Sequence, residues 1–192
     1  MLNLSKTLTA LLAAAILSLP AFAQSDEFEF LPIFKKGWDG DLEVALVAGY
    51  MDFQNNGIDS GLTHGIELSF NCPVFKLPGD NTIRQQLSLN SYSKNSVKIM
   101  SIEMNPYYMI DLSKDVVLGF GPGISGVKVS PDNAKNQWLF AVQVGAGVKY
   151  YINNFILGAD LRYQWTAAKD LGAGVKEDVD NARFLAKVGY RF

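Results

Sequence analysis

The chain has 192 residues, 48% of them hydrophobic and 19% charged, with a formal net charge of −2. That length holds one domain, and the near balance of charge carries no electrostatic footprint for nucleic acid. Cys72 is the only cysteine, which excludes an internal disulfide framework and leaves it to read as a small apolar filler.

Residues 1–23 read as a cleaved secretory signal peptide. Lys6 supplies the positive start, Leu8 to Leu19 the apolar core, and Ala21-Phe22-Ala23 a small-x-small cleavage site after Pro20. The core is too short for a spanning helix, and no later apolar run reaches the roughly 18 residues that one needs. Cys72 lies far from the cleavage site, so it is not a lipoprotein cysteine. Residues 24–39, "QSDEFEFLPIFKKGWD", form a periplasmic lead-in, either a short strand or a segment lying near the membrane.

From residue 40 onward the hydrophobic period is two, the signature of strands. In chain order, Leu42, Val44, Leu46, Ala48 and Tyr50 oppose Glu43, Ala45, Val47, Gly49 and Met51. Ile66, Leu68 and Phe70 oppose Gly65, Glu67, Ser69 and Asn71. Ile83, Leu87 and Leu89 oppose Arg84, Gln86, Ser88 and Asn90, a weaker pattern because Gln85 falls on the apolar side. Met100, Ile102, Met104 and Tyr108 oppose Ser101, Glu103, Asn105 and Tyr107. Leu118, Phe120 and Ile124 oppose three glycines, 119, 121 and 123. The last three strands set Trp138, Phe140, Val142, Val144, Val148 and Tyr150 against Gln143, Gly145, Gly147 and Lys149; Phe155, Leu157, Leu161, Tyr163 and Trp165 against Gly158, Asp160, Arg162 and Gln164; and Ala182 to Phe192 against Arg183, Leu185, Lys187, Gly189 and Arg191.

Eight such strands of about ten or more residues match membrane-crossing strands tilted by about 45°. Polar loops at 55–61, 93–96, 130–136 and 166–181 alternate with mostly tighter turns at 73–81, 111–115 and 152–154. The expected fold is all-β: an eight-stranded antiparallel up-and-down transmembrane β-barrel over residues 40–192 with both ends in the periplasm. Pro106 and Pro122 fall inside strands on the apolar face, so bulges or kinks are expected there.

The polar face carries Glu43, Glu67, Glu103, Asp160, Arg84, Arg162, Arg183, Arg191, Lys149 and Lys187, interspersed with glycines. A water-facing exterior has no need of glycines. A narrow eight-strand interior does, because it is only wide enough to be filled by side chains. The polar face is therefore the lumen, filled by an ion-pair network, and the apolar face meets lipid. Tyr50, Phe70, Tyr108, Trp138, Tyr150, Phe155 and Trp165, with Tyr190 and Phe192, supply two aromatic girdles.

Three stretches carry a family likeness beyond the signal peptide: "NPYYMIDLSKDVVLGFGPG", "VGAGVKYYINNFILGADLRYQW" and the terminal "VGYRF". With them the chain resembles the small outer-membrane β-barrel superfamily of Gram-negative bacteria, the OmpA-transmembrane-domain and OmpX-like group, some of whose members are porin-like. The resemblance covers residues 40–192 and implies a bacterial outer-membrane location, contact with outer-membrane lipid and lipopolysaccharide, and a monomer. It also implies that Tyr190 and Phe192 are read by the barrel-assembly machinery during biogenesis. Relatives fused to peptidoglycan-binding domains exist; the chain stops at Phe192, so that function is expected to be absent. No cofactor or metal is implied.

Three functions remain open. The first is a non-enzymatic barrel with a structural or surface-interaction role and a largely closed lumen. The second is a narrow channel for ions or small solutes, with the lumen glutamates and arginines as gate or filter. The third is an outer-leaflet lipid A-modifying enzyme built on His64, the sole histidine, with Ser60 one loop position away; such chemistry needs a base, a hydroxyl and an orienting group. Lysines 94, 98, 128, 135, 169 and 176 read as solvated loop charge or lipopolysaccharide contacts. Asp170, Glu177, Asp178 and Asp180 match no calcium-loop spacing. "GFGPG" lacks the lysine and helix of a phosphate loop.

Overall fold

A computed structural model describes residues 28–54, 58–77, 82–95, 97–131, 136–167, 169–170 and 176–192, without the side chains of 169–170 and 176–177. The signal-peptide reading, residues 1–23, lies outside the described residues, as do 24–27 of the lead-in.

Eight strands close into an antiparallel barrel: β1 Glu43–Phe53, β2 Gly61–Asn71, β3 Thr82–Lys94, β4 Val97–Asp111, β5 Val116–Pro131, β6 Gln137–Ile152, β7 Phe155–Thr166 and β8 Asn181–Arg191. Each strand pairs with its neighbour in sequence, and β8 returns to β1 in the register Ala186↔Ala48. The main-chain amide of Phe192 carries this seam one step further by donating to the Leu42 carbonyl at 2.9 Å. Closure leaves no unpaired edge, which a hydrocarbon solvent would penalise heavily.

The strand faces follow the alternation, including the weakly patterned β3, where Arg84, Gln86, Ser88 and Asn90 are buried inward. Gln85 lies on the outer wall between Phe70 and Pro106, and its side chain bonds to the Gln86 carbonyl at 3.3 Å. The expected bulge at the prolines does not occur. Met104↔Ile124 and Tyr108↔Phe120 belong to one register, which sets Pro106 opposite Pro122. Neither proline has an N–H to donate, so the ladder is interrupted on both strands at the same place and no residue is added to either.

Loop lengths are less asymmetric than the sequence suggests. At the end where β1 and β8 meet the chain termini, the turn end, β6 and β7 join through Asn153-Asn154, with Asn153 at φ 54°. At the opposite loop end, β3 and β4 also join tightly, since Lys94 pairs with Val97 across Asn95 at φ 49°. These are the left-handed conformations that two-residue hairpins demand. The asymmetry lies in the wall itself. β4, β5 and β6 have 15, 16 and 16 residues. Sixteen residues tilted by about 45° rise roughly 37 Å, more than the apolar band of about 25 Å. The excess stands clear of the band at the loop end as a collar.

The lead-in packs on the outer wall at the turn end. Glu29–Phe30 pairs with Phe75–Lys76 of the β2–β3 connection, and a short 3-10 turn follows at Pro32–Phe34. Pro32 and Cys72 are both buried.

Candidate functional site

Among the described residues the buried charges concentrate in the lumen, where they are arranged in layers. At the turn end, Arg84 reaches Asp41 at 2.5 Å and Glu43 at 3.2 Å. Glu43 also accepts from Lys149 at 2.5 Å and from the Tyr151 hydroxyl at 2.8 Å. Arg191 pairs with Asp41 through its Nε, and through Nη2 at 2.9 Å. Burial pushes the Asp41 carboxyl up, but hydrogen bonds and charge from Arg191 and Arg84 outweigh it and hold the group below its ordinary 3.8.

Deeper in, Arg162 bridges three carboxylates: Asp160 at 2.7 Å, Glu67 at 2.8 Å and Glu103 at 3.0 Å. Lys187 bridges Glu67 and Asp160, both at 2.6 Å. Arg183 pairs with Glu103 and donates to Gln143 at 2.7 Å. Glu103 further accepts from Ser101 at 2.6 Å and from Asn90 at 3.0 Å. The two layers thus bring together all ten charges assigned to the lumen from sequence, and they add an eleventh, Asp41. It sits one residue outside the alternating pattern and turns inward at φ 44°.

Such charges tolerate burial only when paired and hydrogen-bonded, because desolvation costs several kcal/mol per ion. Small neighbours make the approach possible. A Cβ on Gly147 would collide with the Asp160 carboxylate, and one on Gly145 with the Tyr107 hydroxyl.

Above the charges the lumen changes character. Gln164 donates to Ser125 at 2.6 Å and accepts from Asn181 at 3.1 Å. Beyond this polar layer lies an apolar one that the all-polar reading of the lumen missed. Met51, Phe53, Tyr92, Ile99, Val127, Val129, Leu139, Ala141 and Val179 pack together inside the collar. The solvated-loop reading of 166–181 is corrected at Val179, which is fully buried in that cluster. Its amide donates to Thr166 Oγ1 at 2.7 Å, while the Asp180 carboxylate accepts from the Thr166 amide at 2.6 Å. Asp180 is therefore occupied structurally; the side chains of Asp170 and Glu177 lie outside the described residues.

The other candidates fall on the outer wall. His64 faces outward between Leu62 and Ile66. Ser60 is four residues away along the strand direction and bonds to Asp52 at 2.5 Å, so it does not join His64. Ser91 is the cross-strand partner of His64, yet among the described residues no hydrogen bond or ion pair involves the imidazole. Tyr50, Trp138 and Trp165 are exposed outward toward the loop end, and Tyr150, Phe155, Tyr190 and Phe192 toward the turn end. Phe70 and Tyr108 are half-buried on the same outer face, Tyr108 against Phe120 at 5.6 Å between ring centroids. Tyr190 stacks edge-on with Phe155 at 5.4 Å and Phe192 at 5.2 Å. Lys94 bonds to the Ser60 carbonyl at 2.7 Å. Gly119, Gly121 and Gly123 of "GFGPG" line the lumen.

The family model described as outer membrane protein beta-barrel domain matches residues 9–192. Among solved structures the chain is similar to Neisserial surface protein A, at 19% identity and TM-score 0.56 over 79% of this chain and 97% of that one. It is similar to Ail, the attachment invasion locus protein of Yersinia pestis, at 14% identity and TM-score 0.54 over 81% and 100%. It is also similar to the outer membrane enzyme PagL, at 16% identity and TM-score 0.53 over 78% and 99%. At these identities the likeness is one of fold. Comparison with curated protein sequences finds no match.

Proposed function

The chain belongs to the outer-membrane β-barrel family, and on that premise we propose that it is a non-enzymatic, monomeric barrel with a closed lumen and a structural or surface-interaction role. Residues 1–23 direct export and are cleaved, 24–39 stay in the periplasm, and 40–192 form the barrel. The loop end then faces outward, as in bacterial barrels generally, toward lipopolysaccharide and surface partners. Tyr190 and Phe192 serve the assembly machinery: Phe192→Ala slows insertion in cells more than it lowers the stability of the inserted barrel. Equal insertion rates for wild type and variant contradict that role.

The observation that carries the closed-lumen reading is two barriers in series. The ion-pair layers from Asp41 to Glu103 fill the lower lumen, and the apolar cluster around Val127 and Leu139 fills the collar. A channel needs both to part. A hydrolase needs a hydroxyl and a carboxylate on its imidazole, and the lipid-facing His64 has neither among the described residues. Two measurements test this reading. Liposomes carrying the protein shrink and recover in small solutes at the rate of empty ones, and lipid A from cells with and without the protein has one mass profile. Faster solute entry revives the channel, and loss of an acyl chain revives the enzyme.

A further inference from the structure

The lead-in leaves a feature that the lumen does not explain. Residues 28–39 fold against the outer wall, covering Cys72 beside the outward-facing Ile83. Between this segment and the wall is a cavity of about 320 Å³, lined by Lys35, Lys36, Lys76, Trp38, Phe75 and Ile83 among others. Beside it three large apolar side chains stand exposed: Phe34 at 83%, Phe30 at 60% and Ile33 at 43%. Isolated exposed apolar groups are ordinary, but three on one short segment beside a cleft whose lysines, Lys35, Lys36 and Lys76, outnumber its acids, Glu29 and Asp39, are a surface shaped for an interface. The surrounding level is fixed by the barrel. Ile83 belongs to the lipid-facing wall, and the segment lies at the turn end, where the wall meets the inner leaflet.

We propose that residues 28–39 form an interfacial foot that binds an anionic glycerophospholipid of the inner leaflet. Phe30, Ile33 and Phe34 enter the acyl boundary. Lys36 and Lys76 take the headgroup phosphate at the cavity, with Lys35 shared with Glu29, which lies 3.4 Å away. Trp38, at the cavity wall, occupies the headgroup level that tryptophan favours. This rests on the orientation proposed above, with the turn end in the periplasm, and not on whether the lumen conducts.

The test uses the full barrel with its lead-in, refolded into nanodiscs of phosphatidylcholine with or without phosphatidylglycerol. Native mass spectrometry after release into detergent reads the retained lipid. The wild type retains phosphatidylglycerol in preference to phosphatidylcholine. Lys36→Gln with Lys76→Gln weakens that retention by roughly fivefold for each lysine, the effect of losing one basic group near an anionic surface. Both lysines are exposed on the surface, and the heat-dependent gel shift of a folded barrel checks that the variant is intact. Equal retention by wild type and variant overturns the proposal. So does equal retention of the two phospholipids, or preferential retention of lipid A added in a parallel arm. As an independent reading, a Trp138→Phe, Trp165→Phe protein leaves Trp38 as its only tryptophan. Brominated phospholipid quenches Trp38 in the nanodisc; an emission unaffected by bromine but open to aqueous acrylamide also overturns the proposal.

Discussion

The wall at membrane level and the collar above it are the same eight-stranded sheet with opposite polarity. In the wall, Leu161, Phe184 and Leu46 face out while Arg162, Arg183 and Glu67 face in. In the collar, Asp52, Ser93 and Lys98 face out while Met51, Ile99 and Val127 face in. Backbone geometry is continuous across the change: β5 runs unbroken from Gly119 to Val129. Solvent decides the difference. In hydrocarbon, apolar side chains belong outside and the unavoidable interior must be filled by whatever pairs with itself. Above the hydrocarbon, water takes the exterior and the hydrophobic effect refills the interior in the usual way.

The comparison is broken most severely by removing the base that three wall carboxylates share. Arg162→Leu leaves the buried Glu67, Glu103 and Asp160 short of positive charge. Urea unfolding in lipid vesicles is expected to show a loss of about 3–5 kcal/mol. Next come two outward positions at different heights. Leu161→Lys, midway along β7 and facing lipid, costs about 2–4 kcal/mol. Lys98→Leu, the opposite exchange on the collar, changes stability by no more than about 0.5 kcal/mol. Equal costs at the two heights contradict the assignment of wall and collar. Gly147→Ala sharpens the packing side of the comparison: the added carbon strikes the Asp160 carboxylate, for a loss of about 1–3 kcal/mol.

The smallest effect is acid sensitivity at the turn end. The Asp41 carboxyl is held below 3.8 by its arginines. Its contribution is therefore fully present above its ordinary value and is lost as the pH falls through the lowered one. A pH series of unfolding midpoints shows this loss below about pH 4 in wild type, relative to Asp41→Asn, in which the contribution of this group to the pH dependence is gone.

Much of this was legible because a strand has a period of two and one solvent per face. The ten lumen charges from Glu43 to Arg191 could be put on their side from parity alone, and glycines beside long charged residues told inside from outside. Three features were not legible for definite reasons. The collar keeps the parity of the wall but reverses its hydropathy, so Val127 and Ile99 look like exceptions until strand height is known. The signal was present in Lys98, Lys128 and Ser130, polar residues at outward positions of two long strands. Val179 comes from a connection, where no period applies. Pro106 and Pro122 each look like a defect in one strand; that they face each other and spare the register follows only from pairing. The proposed export, assembly and surface-interaction roles depend on other molecules, and no side-chain contact within the barrel reads them.

The most direct test of the closed lumen is single-channel recording in planar bilayers, with wild type beside Glu103→Gln and Arg162→Gln. The two barriers in series predict a silent wild type. They also predict that each variant stays silent, because the apolar collar still closes the path. Reproducible conductance steps from the wild type, altered in size or ion preference by either substitution, contradict the account.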